Sequence, residues 1–539
     1  VFDGQLFFCC FEIEKQKPIN KPDFKMKKLS FLLIAVLVSF TVKAQFNVLQ
    51  IDAAGGKSRI NKNLYGQFAE HLGRCIYDGI WVGKDSPIPN VDGYRKDVLE
   101  ALKALKVPVL RWPGGCFADT YHWKNGIGPL NERPKIKNVF WGGTVEDNSF
   151  GTHEFLNLCE MLGCDPYISA NVGSGTVGEM VDWIEYMTSD DDVPMANLRK
   201  KNGREKPWNV KFIGIGNESW GCGGNMTPEY YADLMRQYSN YANMYGGDKF
   251  ERVGCGSNDS DYNWTKVLME KGRNNMNALS LHYYTIAGDN WNNKSAATGF
   301  NEDLYFSGLK KALRMDEYVT RHSMVMDQYD KSKKVGLFVD EWGIWTDVEP
   351  GTNPGHLFQQ NSMRDALIAS NTLDILNKHC DRVRMANIAQ VVNVLQSMIL
   401  TKGNQLILTP TYYVFKMYNV HQDATLLPSS LFAESYKHGE EEIPAISSST
   451  SVDKNGKIHV TLSNINPSKE LKLEINLSGK AISKLNSATI LTAPAFNSVN
   501  TFEKPDVIVP AAFKSVKKLA DNKFEVSIPG KSIVALEFE

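Results

Sequence analysis

Val335-Gly336-Leu337-Phe338-Val339-Asp340-Glu341-Trp342-Gly343 reads as an apolar strand that carries a glutamate to its C-terminal end, where a loop of Trp and Gly begins. Lys211-Phe212-Ile213-Gly214-Ile215-Gly216-Asn217-Glu218 repeats the pattern some 120 residues earlier. Neither run alternates polar with apolar, so each is expected to be covered on both faces, as strands of a parallel sheet are. Two carboxylates at separate strand ends are the minimum equipment for glycosidic bond cleavage, one as acid and one as base or nucleophile.

Working outward, further short apolar runs alternate with helical patterns. Strands are predicted at residues 64–69, 107–112, 166–171, 210–216, 252–257, 278–284, 335–341 and 388–395. Amphipathic stretches at 94–105, 152–162, 177–187, 228–244 and 358–379 fall between them, and residues 410–420 predict a last helix. Thr227-Pro228 is a helix start, an N-cap residue ahead of proline in the first turn. Eight strands with intervening helices over residues 63–421 predict a (β/α)8 barrel, whose functional side chains gather at the C-terminal strand ends. From residue 422 to 539 the period changes to two, as in Leu471-Lys472-Leu473-Glu474-Ile475-Asn476-Leu477, with a turn at Asp453-Lys454-Asn455-Gly456. This predicts a C-terminal antiparallel β-sandwich. Residues 45–62 hold one short strand that does not fit the barrel and is expected to join the sandwich.

The start of the chain reads differently. Met26-Lys27-Lys28, the apolar run Leu29 to Phe40 and Thr41-Val42-Lys43-Ala44 predict a signal peptide at 26–44 and an exported, periplasmic or secreted protein with no membrane anchor after cleavage. Residues 1–25 are read as an upstream extension from a mis-called start. The formal net charge of −1 gives no reason to expect nucleic acid as a partner. Nine Cys are scattered with no C-x-x-C pair, so no structural zinc is expected, and most should be small buried hydrophobes. One pair could form a disulfide, and the sequence does not choose which.

Around the expected rim, Glu70-His71 closes the first strand, Arg111-Trp112-Pro113-Gly114-Gly115-Cys116 the second and His282-Tyr283-Tyr284 the sixth. The Asn217 amide can donate to the hydroxyl beside the anomeric carbon. Strand alternation points Asp340 away from Glu341, as a buried structural carboxylate. Arg111 reads equally well as a substrate contact or as an ion-pair holder for a catalytic carboxylate. For Tyr284 the reading is a hydroxyl bound to the nucleophile, set against simple aromatic packing.

Together, Gly66-x-Phe68-x-Glu70-His71, Arg111-Trp112-Pro113-Gly114-Gly115, Gly216-Asn217-Glu218, His282-Tyr283-Tyr284 and Asp340-Glu341-Trp342-Gly343 resemble glycoside hydrolase family 51, mainly α-L-arabinofuranosidases. The resemblance implies a retaining, exo-acting enzyme with Glu218 as general acid/base and Glu341 as nucleophile. It implies that Glu70, Asn217 and Gln390 hold the furanose hydroxyls, that Tyr284 and Arg111 attend the nucleophile, and that Cys116 and His282 line the substrate site. Substrates would be arabinofuranose-bearing polysaccharides such as arabinan or arabinoxylan, or their oligosaccharides. No metal or organic cofactor is expected, and the resemblance suggests a homo-oligomer. The alternatives are a related barrel endo-glucanase or β-xylosidase, or a non-catalytic carbohydrate-binding protein.

Overall fold

The computed structural model describes residues 47–242 and 250–539. The segments read as an upstream extension and signal peptide lie outside the described residues. Eight strands close into a barrel in chain order: β1 (Gly66–Phe68), β2 (Val109–Trp112), β3 (Asp165–Ala170), β4 (Phe212–Ile215), β5 (Glu251–Asn258), β6 (Ala278–Thr285), β7 (Gly336–Ile344) and β8 (Val383–Ala389). Every neighbouring pair is parallel, and β8 returns to β1 through Asn387↔Gly66, Ile388↔Gln67 and Ala389↔Phe68. Val109, Tyr167, Phe212, Val253, Ala278, Phe338 and Met385, one from each of β2 to β8, pack together inside the barrel. That layer makes the barrel interior a filled core rather than a pore, and it leaves the C-terminal rim as the place for a site.

Helices follow the strands, and their starts obey local rules. Thr227 accepts the Tyr230 N–H at the head of Pro228–Tyr241, with proline in the first turn. The helix Met363–Lys378 is buried around nearly its whole circumference, because one side faces the barrel and the other a β-sheet. Its polar residues meet that sheet: Asp374 accepts the hydroxyls of Ser447 and Ser449 at 2.6 Å each, and Asn377 Nδ2 donates to Ser449 Oγ at 3.0 Å. Buried polar side chains are stable there because they find partners.

The β-rich region has two main sheets. One runs Ser429–Phe432, Asn47–Asp52, Leu471–Ser478, Lys523–Ile528, Val516–Ala520, and the other centres on Ile446–Val452, Ile458–Asn464, Ser532–Phe538 and Leu485–Thr492. Burial alternates along Leu471–Ser478, with one face on the core. One pairing departs from the antiparallel expectation. Asn47–Asp52 is antiparallel to Ser429–Phe432 but parallel to Leu471–Ser478. It arrives from the far end of the chain, so no hairpin connection dictates its direction.

Six barrel strands lie within two residues of their expected bounds, and the seventh and eighth depart further, the eighth beginning at Val383 rather than at residue 388. The eighth strand ends at Ala389, and residues 390–398 fold into a buried irregular segment with Asn393 and Leu395 at φ of 61° and 51°. An apolar run buried on all sides carries no period, so its sequence does not mark where strand gives way to loop. The seventh strand continues past Glu341 to Ile344.

Candidate active site

β4 ends in a turn that re-aims its side chains. Gly216 takes φ of 81° and Glu218 a left-handed φ of 38°. That conformation costs a non-glycine residue about 1–3 kcal/mol, and it brings the Glu218 carboxylate back over the barrel mouth, where Oε1 lies 2.8 Å from His282 Nδ1.

β7 reaches the same place by a different device. Its pairing with β6 jumps from Ser280↔Phe338 to His282↔Glu341, and its pairing with β8 jumps from Val339↔Ala386 to Trp342↔Ile388. The extra residue is a bulge, and it breaks the alternation that would have sent Asp340 and Glu341 to opposite faces. Both carboxylates turn to the barrel axis. Asp340 accepts the Tyr167 hydroxyl at 2.7 Å and lies 3.2 Å from His282 Nε2, while Glu341 Oε2 accepts the Tyr284 hydroxyl at 2.9 Å.

Arg111, from β2, ties the two strand ends together. Its Nη1 donates to Glu341 Oε1 at 2.7 Å and its Nη2 to Asn217 Oδ1 at 2.6 Å. Burial alone would favour losing its proton, but the Asp340 and Glu341 charges outweigh that and hold the guanidinium firmly charged. Beyond Arg111 the chain turns through Pro113-Gly114-Gly115, and here glycine is required. A Cβ on Gly114 would sit 2.6 Å from Glu70 Cγ, and one on Gly115 would sit 2.9 Å from Glu341 Oε1. Side chains at either place would push a carboxylate out of the site.

Glu70 is the most heavily hydrogen-bonded of the carboxylates. Oε1 accepts from Phe117 N–H at 3.0 Å and Trp141 Nε1–H at 2.8 Å, and Oε2 from Gln390 Nε2–H at 3.0 Å. Burial, reinforced by the Glu341 charge, still pushes its pKa up to about 7. Glu218 is also raised, first by burial and then by Glu341, against the lowering pull of the His282 hydrogen bond. Burial thus leads, and the Glu341 charge adds to it. His282 is pushed up to about 10: burial opposes its charge, but Glu341, Asp340 and Glu218 surround it and win. It is therefore an imidazolium at neutral pH, facing Glu218 through one nitrogen and Asp340 through the other.

A cavity of about 300 Å³ opens above these groups. Glu70, Cys116, Glu218, Tyr284, Glu341 and Gln390 line it directly. Arg111, Asn217 and His282 stand behind the glutamates, so the structure favours the ion-pair reading of Arg111 and makes His282 a partner of the acids rather than a wall of the cavity. A Glu218 oxygen, a Glu341 oxygen and a His282 nitrogen all lie within 4.8 Å of one another. Asn217 Nδ2 and Gln390 Oε1 are buried with no hydrogen-bond partner among the described residues. A free donor and a free acceptor beside a cavity are what a polyhydroxyl ligand would satisfy.

Several participants escaped the sequence reading. Cys116 is bridged to Cys222, with Cα atoms 5.5 Å apart, joining the loop after β2 to the loop after Glu218. The run Ser219-Trp220-Gly221-Cys222-Gly223 directly after Glu218 was the available hint. Trp141, which donates to Glu70, and Trp220, Trp291 and Trp345, which also line the cavity, come from loops whose sequences carry no period. The other described cysteines, Cys75, Cys159, Cys164, Cys255 and Cys380, are free and buried.

Two family models match the chain: the alpha-L-arabinofuranosidase 1 domain over residues 101–299 and the alpha-L-arabinofuranosidase C-terminal domain over residues 340–532. The second begins inside β7, so Glu218 and Glu341 fall in different models. An intracellular exo-alpha-L-arabinofuranosidase of Bacteroides ovatus is 55% identical over 513 residues, 95% of this chain and 99% of its own length. The crystal structure of a GH51 arabinofuranosidase from Xanthomonas axonopodis pv. citri superposes with a TM-score of 0.89 at 46% identity, covering 92% of this chain and all of that one. An alpha-L-arabinofuranosidase of Thermotoga maritima, solved as an arabinose complex, gives a TM-score of 0.80 at 31% identity over 91% of this chain and 99% of that one. The Bacteroides relative is named intracellular, which contradicts the exported location read from residues 26–44. A basic pair ahead of a short apolar run defines a hydrophobic segment, and composition does not say whether an export machinery handles it. With near-complete coverage by relatives in both sequence and structure, the chain belongs to glycoside hydrolase family 51, the α-L-arabinofuranosidases.

Proposed function

We propose that this protein is an exo-acting α-L-arabinofuranosidase that removes terminal non-reducing arabinofuranosyl residues from arabinan, arabinoxylan or their oligosaccharides, with retention of configuration. The observation that carries the reading is the approach of Glu218 and Glu341 to within 4.8 Å over one cavity. Retaining glycosidases hold their carboxyl groups about 5–5.5 Å apart, whereas inverting enzymes leave about 6.5–9.5 Å for a water.

In the first step a Glu341 carboxylate oxygen bonds to the anomeric carbon as the glycosidic C–O bond breaks. Glu218 gives its proton to the departing oxygen. Because Glu218 Oε1 is engaged by His282, Oε2 is the oxygen free to carry that proton. Bond formation consumes the Glu341 charge, which removes one of the causes that raise the Glu218 pKa. Glu218 then becomes the base that deprotonates water, the water oxygen bonds to the anomeric carbon, and Glu341 leaves as carboxylate. Arg111 and Tyr284 hold one Glu341 oxygen each, which fixes the nucleophile's aim. Asn217 Nδ2, Gln390 and Glu70 supply a donor and acceptors for the furanose hydroxyls.

The test is a panel of arabinofuranoside, xylopyranoside and cellulosic substrates, with the anomer of the first-formed product followed by NMR. The expected outcome is turnover of the arabinofuranoside with the α-anomer of arabinose appearing first. The β-anomer appearing first would overturn retention, and preference for another substrate would overturn the substrate assignment.

A further inference from the structure

We infer that Trp291 is the stacking platform for the leaving-group sugar, a subsite that makes this chain favour oligosaccharides over simple arabinosides. The inference rests on the proposed function and follows from how the rim is divided. Two of the groups proposed to hold the terminal furanose, Gln390 and Glu70, come from the loops after β8 and β1, and the third, Asn217, stands beside Glu218 at the end of β4. Glu218, which protonates the leaving oxygen, sits after β4 on the other half of the barrel. The departing sugar therefore leaves over β4 to β6, and there the cavity is lined by Trp220, Asn258 and Trp291.

Of the eleven Trp in the chain, Trp291 is the one the fold leaves exposed, at 47% of its surface. It packs against Trp345 with ring centroids 5.3 Å apart and planes at 90°. In a T-shaped pair, whichever ring supplies the edge, at least one face of Trp291 stays uncovered by Trp345. Trp345 in turn meets Tyr284 at 5.1 Å, and Tyr284 holds Glu341, so the exposed indole is keyed to the reacting centre through one aromatic chain. The loop that carries Trp291 is built, not slack. Gly288 N–H donates to Lys294 O at 3.0 Å, Asn293 N–H to Asn290 O at 3.0 Å, and Lys294 Nζ to the Trp291 carbonyl at 2.7 Å. A large apolar face held in water at the mouth of a cavity that carries the reacting carboxylates matches the C–H face of a sugar ring, which buries against indole while its hydroxyls stay solvated.

The experiment compares kcat/KM for arabinotriose with kcat/KM for methyl arabinofuranoside, whose leaving group has no ring to stack. The readout is their ratio in the wild type, in Trp291→Ala and in Trp291→Tyr. The expected result is a ratio lowered about tenfold by Trp291→Ala and largely restored by Trp291→Tyr. An unchanged ratio, or an equal loss on both substrates, overturns the platform and leaves the arabinofuranosidase reading intact. A wild-type protein inactive on both substrates would sink the proposed function and the platform with it.

Discussion

Replacing Glu70 by Gln tests the hydrogen-bond logic of the site with a change of almost no volume. Glu70 accepts three donors, two on Oε1 and one on Oε2. A glutamine offers one oxygen and one NH2 group. If its oxygen stays with Phe117 and Trp141, its NH2 meets the Gln390 NH2, and two donors collide. Gln390 can relieve the collision by turning its amide over, because its Oε1 is unpartnered. The turn reverses the polarity that a furanose hydroxyl meets at Gln390, and the same hydroxyls lose the Glu70 charge. Hydrogen bonds to charged groups are worth about 1.5–3 kcal/mol, so a total loss of about 2–4 kcal/mol, or roughly 30- to 1,000-fold in kcat/KM, is expected. Steady-state kinetics on an aryl arabinofuranoside reads it. Stability supplies a second signature. The folded-state pKa of Glu70 is raised from 4.5 to about 7, so the folded protein holds this proton longer than the unfolded chain. The wild type accordingly loses stability as pH rises from about 4.5 to 7, and the variant lacks that loss. The melting temperature of the variant minus that of the wild type should rise between pH 5 and pH 8. A variant within threefold of wild-type kcat/KM, with a pH-independent difference in melting temperature, would refute both the contact geometry and the burial argument.

Glu218→Ala should slow substrates with poor leaving groups far more than aryl arabinofuranosides, and equal losses across a leaving-group series would remove Glu218 from the acid role. His282→Gln takes away a hydrogen bond and a charge that hold the Glu218 pKa down. The basic limb of the kcat/KM profile should move to higher pH, and a limb that stays or falls contradicts the arrangement. Cys222→Ser opens a disulfide spanning 106 residues. Loop-closure entropy puts the stabilisation near 4–5 kcal/mol, so calorimetry should show a clear fall in melting temperature, matched by reductant on the wild type. No change in either would mean that the bridge contributes nothing to the fold.

The two glutamates were legible because each ends an apolar run short enough to read as a strand, with Asn217 or Trp342 beside it. The barrel followed from eight such runs. Asp340 was read rightly as a buried structural carboxylate but wrongly in its direction, for a physical reason: alternation is a rule for regular strands, and the bulge in β7 that turns Asp340 inward is a property of pairing with β6 and β8. The partnership of Cys116 with Cys222 needed two loops to be brought together in space. Trp141 hydrogen-bonds Glu70, 71 positions earlier in the chain, a distance over which no spacing rule operates. What sequence conveyed was chemistry at strand ends, and what it withheld was the contribution of loops.

The pairing of Asn47–Asp52 bears on how the molecule is made. Asn47 Nδ2 donates to the carbonyl of Lys472, 425 residues away, and the strand is enclosed between two others from the distal part of the chain. At a synthesis rate of about 5–20 residues per second, about 20–85 s separate the emergence of this strand from that of its partner. Through that interval Leu49 and Ile51, both fully buried in the finished sheet, have no surface to cover them. A chain ended after the barrel would leave a six-residue amphipathic strand with both edges open, an invitation to pair with a neighbour's. Barrel closure and sheet completion are thus linked by the clock of translation, and the catalytic half cannot be harvested alone without capping or removing its first strand.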